Sequence, residues 1–237
     1  MPSFKFKKFS IHQEKSALKV GTDAMVFGAH IIVDGHENCL DIGTGTGVLS
    51  LMVAQNNQQL KITAIEIDEN AYEDALLNFN NTDFTNSFQL INNDFFAQEF
   101  YQKFDLIISN PPFFNDSFPS PNLLRKIART SNQEFVTYFF SKNASLITDD
   151  GKLWVILPFD QVQYWNRIAN SYGFKIIHNI SIFGKPEKLI RNICVYSKSE
   201  TKLNWNDEDF CIRTLSGVYT QQYIDKTLDF HDRLPVK

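Results

Sequence analysis

Short apolar runs alternate with longer amphipathic segments along the middle of the chain. The runs end at polar residues, glycine or proline, which is typical of buried strands, and the segments between them favour helices. The predicted strands are 39–43, 61–68, 88–92, 104–109 and 152–158. The predicted helices are 48–55, 69–80, 131–148 and a fourth that follows Asp160 and runs to Ser171. Alternating strands and helices predict an α/β fold, with a mostly parallel sheet covered by helices on both faces.

The last two predicted strands break this alternation. Residues 174–183 and 191–198 are separated by a segment containing GKPEK, which is too short for a helix, so we expect an antiparallel hairpin. Asp149, Asp150 and Gly151 are predicted to end the helix before the fifth strand. Asp68 and Asp160 are predicted to cap the helices that follow them.

The chain is long enough for one large domain. Its 237 residues are 43% hydrophobic, so we expect a single domain over 1–237. Within it, 1–30 is expected to form a basic N-terminal extension with a first helix. Residues 203–237 are expected to form a C-terminal helical extension, with a helix near 219–230 that the sequence does not place.

Cysteine content and hydropathy indicate the compartment. The three cysteines are scattered and match no metal spacing, so we expect no metal site and a cytoplasmic protein. No apolar run reaches the roughly 18 residues that a membrane span needs. The N-terminus lacks the apolar region of a secretory signal. Oligomeric state is not predicted, and a monomer is assumed.

Charge is unevenly distributed. The formal net charge of −4 is not that of a strongly basic nucleic-acid-binding protein. Near the N-terminus, however, lysines alternate with phenylalanines, a pattern that fits either a solvated edge strand with one apolar face or a contact with a polyanion. These lysines are Lys5, Lys7 and Lys8.

A glycine-rich loop follows the first buried strand. Gly43, Gly45 and Gly47 lie between this strand and the next helix, where glycine allows a sharp turn and close approach of a ligand. The spacing is GxGxG, whereas dinucleotide-binding dehydrogenases have GxGxxG. Asp41 precedes the loop, where a carboxylate would repel a pyrophosphate but suit an amino group.

Acidic residues also follow the second and third strands. Glu66 is positioned to accept hydrogen bonds from ribose hydroxyls, or it is a solvated charge at the end of a strand. Asp94 can accept from the amino group of adenine. Phe95 or Phe96 can stack on that purine, or either ring can belong to the core. A ligand with an amino group, a ribose and a purine but no pyrophosphate is expected, and S-adenosylmethionine fits this description.

The fourth strand runs directly into the sequence NPPF. An amine on an aromatic ring is a poor nucleophile, because its lone pair is delocalised into the ring. Two acceptors aimed at its N–H bonds favour a pyramidal nitrogen, and the Asn110 amide oxygen and the Pro111 carbonyl can be those acceptors. Pro111 and Pro112 restrict the backbone, and Phe113 can stack on the base. The alternative is a strand that ends at proline, followed by a turn.

The order of these motifs resembles that of class I methyltransferases, in particular the amino-methylating group with [DNS]PP[FYW]. This resemblance implies a Rossmann-like, seven-stranded sheet with an antiparallel last strand. The segment FKFKKFSIHQEKSALKVGTDAMVFGA, the ART at 128–130 and the tail YTQQYIDKTLDF are similar to the tRNA1(Val) (adenine(37)-N6)-methyltransferase family. The likeness covers nearly the whole chain, although the terminal HDRLPVK departs from it.

The family resemblance implies an activity and a partner. We expect methyl transfer from S-adenosylmethionine to the exocyclic N6 of an adenosine beside the anticodon, with Thr22 or Asp23 near the methionine end of the cofactor. Phosphate contacts would come from basic side chains on or near the path of the RNA. The candidates are Lys5, Lys7, Lys8, Arg125, Lys126, Arg129, Lys185, Lys188 and Arg191.

Other substrates remain open at this point. A ribosomal RNA guanine-N2 methyltransferase uses a similar motif, usually on a longer chain. A protein glutamine-N5 methyltransferase commonly has NPPY and would need a groove for an extended peptide. Free nucleoside or DNA adenine also fits the same residues. A binding module without activity is disfavoured by the intact set from Asn110 to Phe113.

Overall fold

The computed structural model describes residues 3–112, 132–199 and 207–233. Within these ranges, one large sheet is flanked by helices, and two short strands near the N-terminus pair separately. The strands are β1 (Phe4–Lys5), β2 (Ser10–Ile11), β3 (Asn38–Ile42), β4 (Lys61–Glu66), β5 (Phe88–Asn92), β6 (Phe104–Ser109), β7 (Ile147–Pro158), β8 (Lys175–Lys185), β9 (Lys188–Ser197) and β10 (Glu208–Cys211). The helices are α1 (Thr22–His30), α2 (Val48–Asn56), α3 (Glu69–Asn80), α4 (Asn132–Leu146), α5 (Val162–Ser171) and α6 (Gln221–Thr227).

The large sheet has the order β10-β8-β9-β7-β6-β3-β4-β5. Strands β3 to β7 run parallel to their neighbours among themselves, whereas β9 is antiparallel to both β7 and β8. The predicted parallel sheet with a terminal antiparallel hairpin is therefore confirmed. The chain passes from β3 to β4 on one side and reaches β6 on the other, so the switch point of the sheet lies beside β3.

An additional strand extends the sheet beyond the seven that were expected. Strand β10 pairs parallel with β8 at the outer edge. Its Phe210 is buried, and its ring lies edge-on to His30 of α1 at 4.6 Å between centroids. The C-terminal segment thus belongs to the main core, and α6 contacts α1.

The central strands supply two hydrophobic cores, one on each face of the sheet. Along β6, Leu106 and Ile108 pack into one core and Ile107 into the other, as the alternation of side chains in a strand requires. The first core includes α1 and α2, and the second includes α4 and α5. Every residue of α2 from Val48 to Gln55 is buried, because the helix is covered on several sides.

Several helix boundaries agree with the sequence, and two differ. Helix α3 spans the predicted residues, and the Asp68 side chain caps it by accepting from the amide of Ala71 at 3.0 Å. Helix α5 ends at Ser171 as expected, but Asp160 lies in a 3-10 turn and does not cap it. Helix α4 ends at Leu146, so Asp149, Asp150 and Gly151 lie within β7 rather than ending the helix.

The early start of β7 has a structural cause. Ile147 pairs with Phe104 at the beginning of β6, and the register then shifts before Leu106 pairs with Lys152. The irregularity inserts extra residues on β7, which include the two aspartates and the glycine. Pairing with the neighbouring strand therefore overrides the local preference of this sequence for a turn.

The N-terminal segment packs against the C-terminal one. The amide of Lys7 donates to the carbonyl of Phe230 at 2.8 Å, and Phe6 forms a bridge with His231. The rings of Phe6 and Phe9 stack at 4.3 Å, and both are buried. In the described part of the chain, no helix is both long and apolar enough to cross a membrane.

Candidate functional site

The glycine loop forms a tight turn at the carboxyl end of β3. Gly43, Gly45 and Gly47 have positive φ values of 70°, 59° and 80°, and the amides of Gly43 and Thr44 donate to the carbonyl of Ile65. A Cβ added at Gly43 or Gly45 would meet no heavy atom within 4 Å. The backbone of this turn is therefore open to close approach by a ligand.

Gly47 has a different role from the other two glycines. A Cβ at this position would lie 2.5 Å from the ring of Phe79. Gly47 also precedes α2 as its N-cap residue, in a left-handed conformation. Its lack of a side chain lets α3 pack against the start of α2, so it serves the packing that holds the loop in place.

Asp41 is completely buried beneath the loop. Its Oδ2 accepts hydrogen bonds from the hydroxyls of Thr44 at 2.6 Å and Ser50 at 2.7 Å. Its Oδ1 has no hydrogen-bond partner among the described residues. Burial raises the pKa of Asp41 to about 6, against the effect of the two hydroxyls. Asp41 thus fixes the loop, and the prediction that it faces a ligand amino group remains a prediction.

Glu66 ties the end of β4 to the glycine loop. Its Oε2 accepts from the amide of Gly45 at 2.8 Å, and its Oε1 accepts from the amides of Ile67 and Asp68, also at 2.8 Å. Burial raises the pKa of Glu66, and these three backbone amides oppose that rise. A contact with ribose hydroxyls stays a prediction, since the carboxylate can accept additional hydrogen bonds.

Asp94 organises the loop that follows β5. Its Oδ1 accepts from the amide of Phe96 at 2.9 Å, and its carbonyl accepts from the amides of Ala97 and Gln98. The ring of Phe95 is buried in the second core, near those of Phe100 and Phe139, and its stacking on a purine stays a prediction. The ring exposed to solvent is that of Phe96.

Asn110 leaves the sheet beside the glycine loop. Ser109 pairs with Ile42 in the parallel register of β6 and β3, and its hydroxyl donates to the carbonyl of Ile42 at 3.0 Å. The next residues along these two strands are Asn110 and Gly43, so both emerge together at the switch point. Asn110 is half-buried and Pro111 is buried. Phe113 lies outside the described residues.

An ion pair joins the start of α1 to β9. Thr22 is the first residue of the helix and is exposed, whereas Gly21 is the N-cap residue and provides no side-chain cap. Asp23 does not cap the helix, because its carboxylate accepts from the Arg191 guanidinium at 2.9 Å, and its position near a cofactor stays a prediction. Arg191, a candidate for phosphate contact, is thus held in an ion pair.

Two polar residues of α3 that were not predicted join the N-terminal segment to the site. The Asn78 side chain bonds both the amide and the carbonyl of His12, at 2.7 and 2.8 Å, and it also donates to the carbonyl of Thr46 at 2.8 Å. Asp74 accepts from the amides of Lys15 and Ser16 at 3.0 and 2.8 Å. Asn78 therefore links the N-terminal segment directly to the glycine loop.

A sequence signal for these two residues exists. Helix α3 buries Ala71, Ala75 and Phe79 at helical spacing, and Asp74 and Asn78 fall on the same buried face. A buried polar side chain on an apolar face needs hydrogen-bond partners, which here come from outside the helix. Spacing alone could have marked them as docking residues, but it could not have named their partners.

Some of the basic residues that were predicted to contact RNA phosphates lie within the described part of the chain. Lys5, Lys7 and Lys8 are exposed while the adjacent Phe6 and Phe9 are buried, as expected for a solvated strand with one apolar face. Lys7 lies 3.8 Å from a carboxylate oxygen of Asp229. Contact with RNA remains a prediction for these lysines and for the exposed Lys185 and Lys188 of the hairpin. Outside the described residues lie Arg125, Lys126 and Arg129.

The fold, the open glycine turn and the adjoining NPP segment define a class I methyltransferase. The family described as "Methyltransferase small domain" matches residues 15–174. Solved methyltransferases share the fold. A predicted O-methyltransferase from Agrobacterium tumefaciens has a TM-score of 0.66 at 15% identity, covering 88% of this chain and 96% of that one. A methyltransferase from Pyrococcus furiosus has a TM-score of 0.58 at 18% identity, covering 79% and 87%.

Sequence relatives narrow the class to one family. A protein of Flavobacteriaceae bacterium strain 3519-10 is 32% identical over 98% of this chain and 99% of its own length. A relative in Flavobacterium psychrophilum is 34% identical over 96% and 98%, and one in Haemophilus influenzae is 33% identical over 98% and 99%. All three are named tRNA1(Val) (adenine(37)-N6)-methyltransferase. The chain belongs to this family, as its motifs indicated.

Proposed function

We propose that the protein transfers a methyl group from S-adenosylmethionine to the exocyclic N6 of adenosine 37 in tRNA1(Val). The observation that carries this proposal is the strand register that brings Asn110 out beside Gly43. A ligand-binding turn and an amine-binding amide are thereby adjacent at one switch point. The names of the family relatives supply the RNA, the base and the position.

The cofactor site suits a ligand that carries a positive charge. Gly43 and Gly45 leave open space, and two buried carboxylates, Asp41 and Glu66, lie directly beneath and beside the turn. The Oδ1 of Asp41 still has hydrogen-bonding capacity, which an ammonium group could use. When bound, S-adenosylmethionine supplies an electrophilic methyl group on a cationic sulfonium. Among the described residues, no cluster of three or more His, Cys, Asp or Glu could hold a metal ion.

The chemical role of the NPP segment follows from what an aromatic amine lacks. The Asn110 amide oxygen and the Pro111 carbonyl would each accept one N–H bond of the adenine amino group, which favours a pyramidal nitrogen with a localised lone pair. The prolines restrict the backbone that presents these acceptors. No strong base is needed at this point, because the amino proton becomes acidic only as the new C–N bond forms.

An anticodon loop is a suitable substrate for this site. Its bases are already unpaired within a loop, so turning one out costs less than extruding a base from a duplex. The net charge of −4 means that phosphate contacts must come from local groups such as the lysines of the N-terminal segment. We also propose that the enzyme acts in the cytoplasm, where its tRNA is found, and as a monomer.

Methyl transfer to separate substrate pools tests the proposal. Purified protein and radiolabelled S-adenosylmethionine would be incubated with total tRNA from a strain that lacks the activity, with ribosomal RNA and with release-factor protein. The proposal predicts label in tRNA only, recovered as N6-methyladenosine after digestion. Label in ribosomal guanine or in glutamine would contradict it and favour the corresponding alternative. Asn110→Ala serves as the inactive control.

A further inference from the structure

Three aromatic rings lie side by side where the loop after β5 meets α4. The ring of Phe96 is 5.5 Å from that of Phe135, nearly perpendicular to it, and 6.2 Å from that of Tyr138. Phe96 is 36% exposed and Tyr138 is 57% exposed. We call Phe96, Phe135 and Tyr138 the aromatic platform.

Several hydrogen bonds hold the loop that presents Phe96. Asp94 accepts from the amide of Phe96, and the Asn93 side chain accepts from the amide of Asp94 and donates to Gln98 at 3.0 Å. The ammonium of Lys142 donates to the carbonyl of Phe96 at 3.1 Å and also to that of Gln98. An apolar ring is thus kept partly in solvent by a preorganised backbone, instead of being buried by a small movement of the loop.

The platform lies at the functional end of the sheet. Asn92, the last residue of β5, pairs with Glu66, the last residue of β4, so the loop bearing Phe96 continues from the end of the sheet at which Glu66 anchors the glycine turn. Phe135 and Tyr138 occupy the first two turns of α4. The platform is therefore positioned beside the cofactor site rather than on a remote surface.

The charged groups that the structure describes around the platform do not favour binding of phosphate. Among the described residues, the cation that donates to the platform loop is Lys142, and its ammonium is engaged by two backbone carbonyls. Asp94 and Glu99 are the acidic groups that act on Lys142, and Glu134 is an exposed acid at the start of α4. Exposed aromatic rings suit a ligand with a flat, uncharged face, which is the property of a nucleobase.

We propose that the aromatic platform stacks on an unpaired base of the tRNA other than the adenosine that is methylated. The inference rests on the proposed function, which supplies a substrate whose target base lies among other unpaired bases. The platform adds affinity that does not depend on phosphate. Base stacking on aromatic side chains contributes enough that loss of one ring weakens binding roughly tenfold.

Two platform variants and one matched control test this inference. The variants are Phe96→Ala and Tyr138→Ala, and the control is Tyr101→Ala, which removes a ring that is 95% exposed but lies outside the platform. The Kd for tRNA1(Val) would be measured at several salt concentrations with S-adenosylhomocysteine present, together with the Kd for S-adenosylmethionine. A set of tRNAs would each carry 2-aminopurine at one anticodon-loop position other than 37. Quenching of the 2-aminopurine fluorescence would report stacking at that position.

The proposal predicts a selective loss of affinity for tRNA. Both platform variants raise the Kd for tRNA roughly tenfold without changing its slope against salt concentration, and their affinity for S-adenosylmethionine stays within about twofold of wild type. At one loop position, wild type quenches the 2-aminopurine fluorescence and the two platform variants do not. The Tyr101→Ala control behaves as wild type, and Tyr138→Phe restores binding.

Different failures are distinguishable. An unchanged Kd for tRNA in both variants would overturn the platform while leaving wild-type methylation of tRNA intact. A loss of affinity for S-adenosylmethionine in either Phe96→Ala or Tyr138→Ala would also overturn it, because the rings would then serve the cofactor's adenine. If wild type neither methylates nor binds tRNA, the proposed function itself fails and the platform fails with it.

Discussion

At the scale of single residues, the site depends on two buried carboxylates that hold a turn of glycines. Asp41 binds the loop through two hydroxyls, and Glu66 binds it through the amide of Gly45. Burial raises the pKa of each acid, so their negative charges carry a desolvation cost in the free protein. A cationic ligand beside these carboxylates would offset that cost, so we expect cofactor binding to depend on pH.

The pH dependence of cofactor binding has a definite sign. The pKa of Asp41 is about 6, so the carboxylate is charged at pH 8 and becomes neutral as the pH falls through 6. We expect the Kd for S-adenosylmethionine to rise below about pH 6.5, by up to about tenfold per pH unit for each linked proton. Calorimetric titration between about pH 5.5 and 8 measures it, and a flat profile would contradict a role for the Asp41 carboxylate in binding the cofactor.

The same pKa predicts the stability of Asp41→Asn. An acid whose pKa is higher in the folded than in the unfolded state loses stability as the pH rises, here between about 4 and 6. Asp41→Asn removes this loss and can still accept from Thr44 and Ser50. Its Tm in the absence of ligand at pH 8 should equal or exceed that of wild type, while its affinity for S-adenosylmethionine falls. Thermal unfolding and calorimetry separate the two effects.

Two glycines of the loop are predicted to have different roles, Gly45 in ligand binding and Gly47 in helix packing. Gly45→Ala meets open space but must adopt a left-handed backbone, which costs about 1–2 kcal/mol and fills the face that a ligand would approach. Gly47→Ala has the same strain and a Cβ 2.5 Å from Phe79, so it should be the less stable variant. Urea unfolding and cofactor titration should show the larger drop in stability for Gly47→Ala. The reverse ranking would contradict this division of roles.

At the scale of elements, helix α3 connects the N-terminal segment to the glycine loop. Asn78 is almost completely buried and bonds both His12 and Thr46. Asn78→Ala leaves these backbone groups without their partner, which costs about 1–3 kcal/mol. We also expect weaker binding of S-adenosylmethionine, since the variant lacks the hydrogen bond that holds the carbonyl of Thr46 within the loop.

Hydrogen exchange measures this connection directly. In Asn78→Ala, the amide of His12 and the amides of 43–47 should exchange faster than in wild type. Asn80→Ala is the matched control, because Asn80 is exposed on the same helix. If the cofactor affinity of Asn78→Ala equals that of the control, the N-terminal segment is docked by Asn78 but does not support the loop.

Elements with regular patterns could be predicted, and those fixed by distant pairing could not. The bounds of α3 and the cap by Asp68 follow from local sequence, since both depend on residues within a few positions. Strand β10 forms by pairing with the edge of β8. Its four residues are too few for their own pattern to predict this strand. Asp149 and Asp150 form part of β7 because β6 pairs with residues on both sides of them, Ile147 and Lys152.

The site shows the same division. Residue type and spacing make three features recognisable in the sequence: the glycine loop, the acids after the strands and the NPP segment. Each follows a strand of the parallel sheet, so the order of the strands predicts that they lie at the same edge. The ion pair of Asp23 with Arg191 and the bonds of Asn78 join residues far apart in sequence. Which of Phe95 and Phe96 is exposed likewise depends on packing against α4.

At the scale of the whole molecule, a net charge of −4 has to be reconciled with an RNA substrate. The exposed lysines of the N-terminal segment are local positive groups on an acidic protein. Affinity for tRNA should therefore fall steeply with salt, because each phosphate contact releases counterions. The aromatic platform would add a part of the affinity that salt leaves unchanged.

Charge-neutral variants of these lysines test the electrostatic part. Lys5→Gln with Lys8→Gln should lower the slope of log Kd against log salt by about 0.7–0.9 for each phosphate that the two lysines neutralise in wild type. Lys61→Gln is the control, because Lys61 is exposed at the opposite end of β4 from Glu66. An unchanged slope in the double variant would show that these lysines are exposed to solvent without contacting phosphate.

The proposed function depends most on Asn110, which would hold the adenine amino group of tRNA1(Val) beside the glycine turn. Single-turnover methylation of this tRNA by wild type and Asn110→Ala, with the modified nucleotide mapped by mass spectrometry, measures this role. We expect N6-methyladenosine at position 37 for wild type. For Asn110→Ala we expect a rate at least about 100-fold lower, with cofactor affinity within about twofold of wild type. Methylation at another atom or nucleotide, or an unchanged rate in the variant, would show that Asn110 does not hold this amine for methyl transfer.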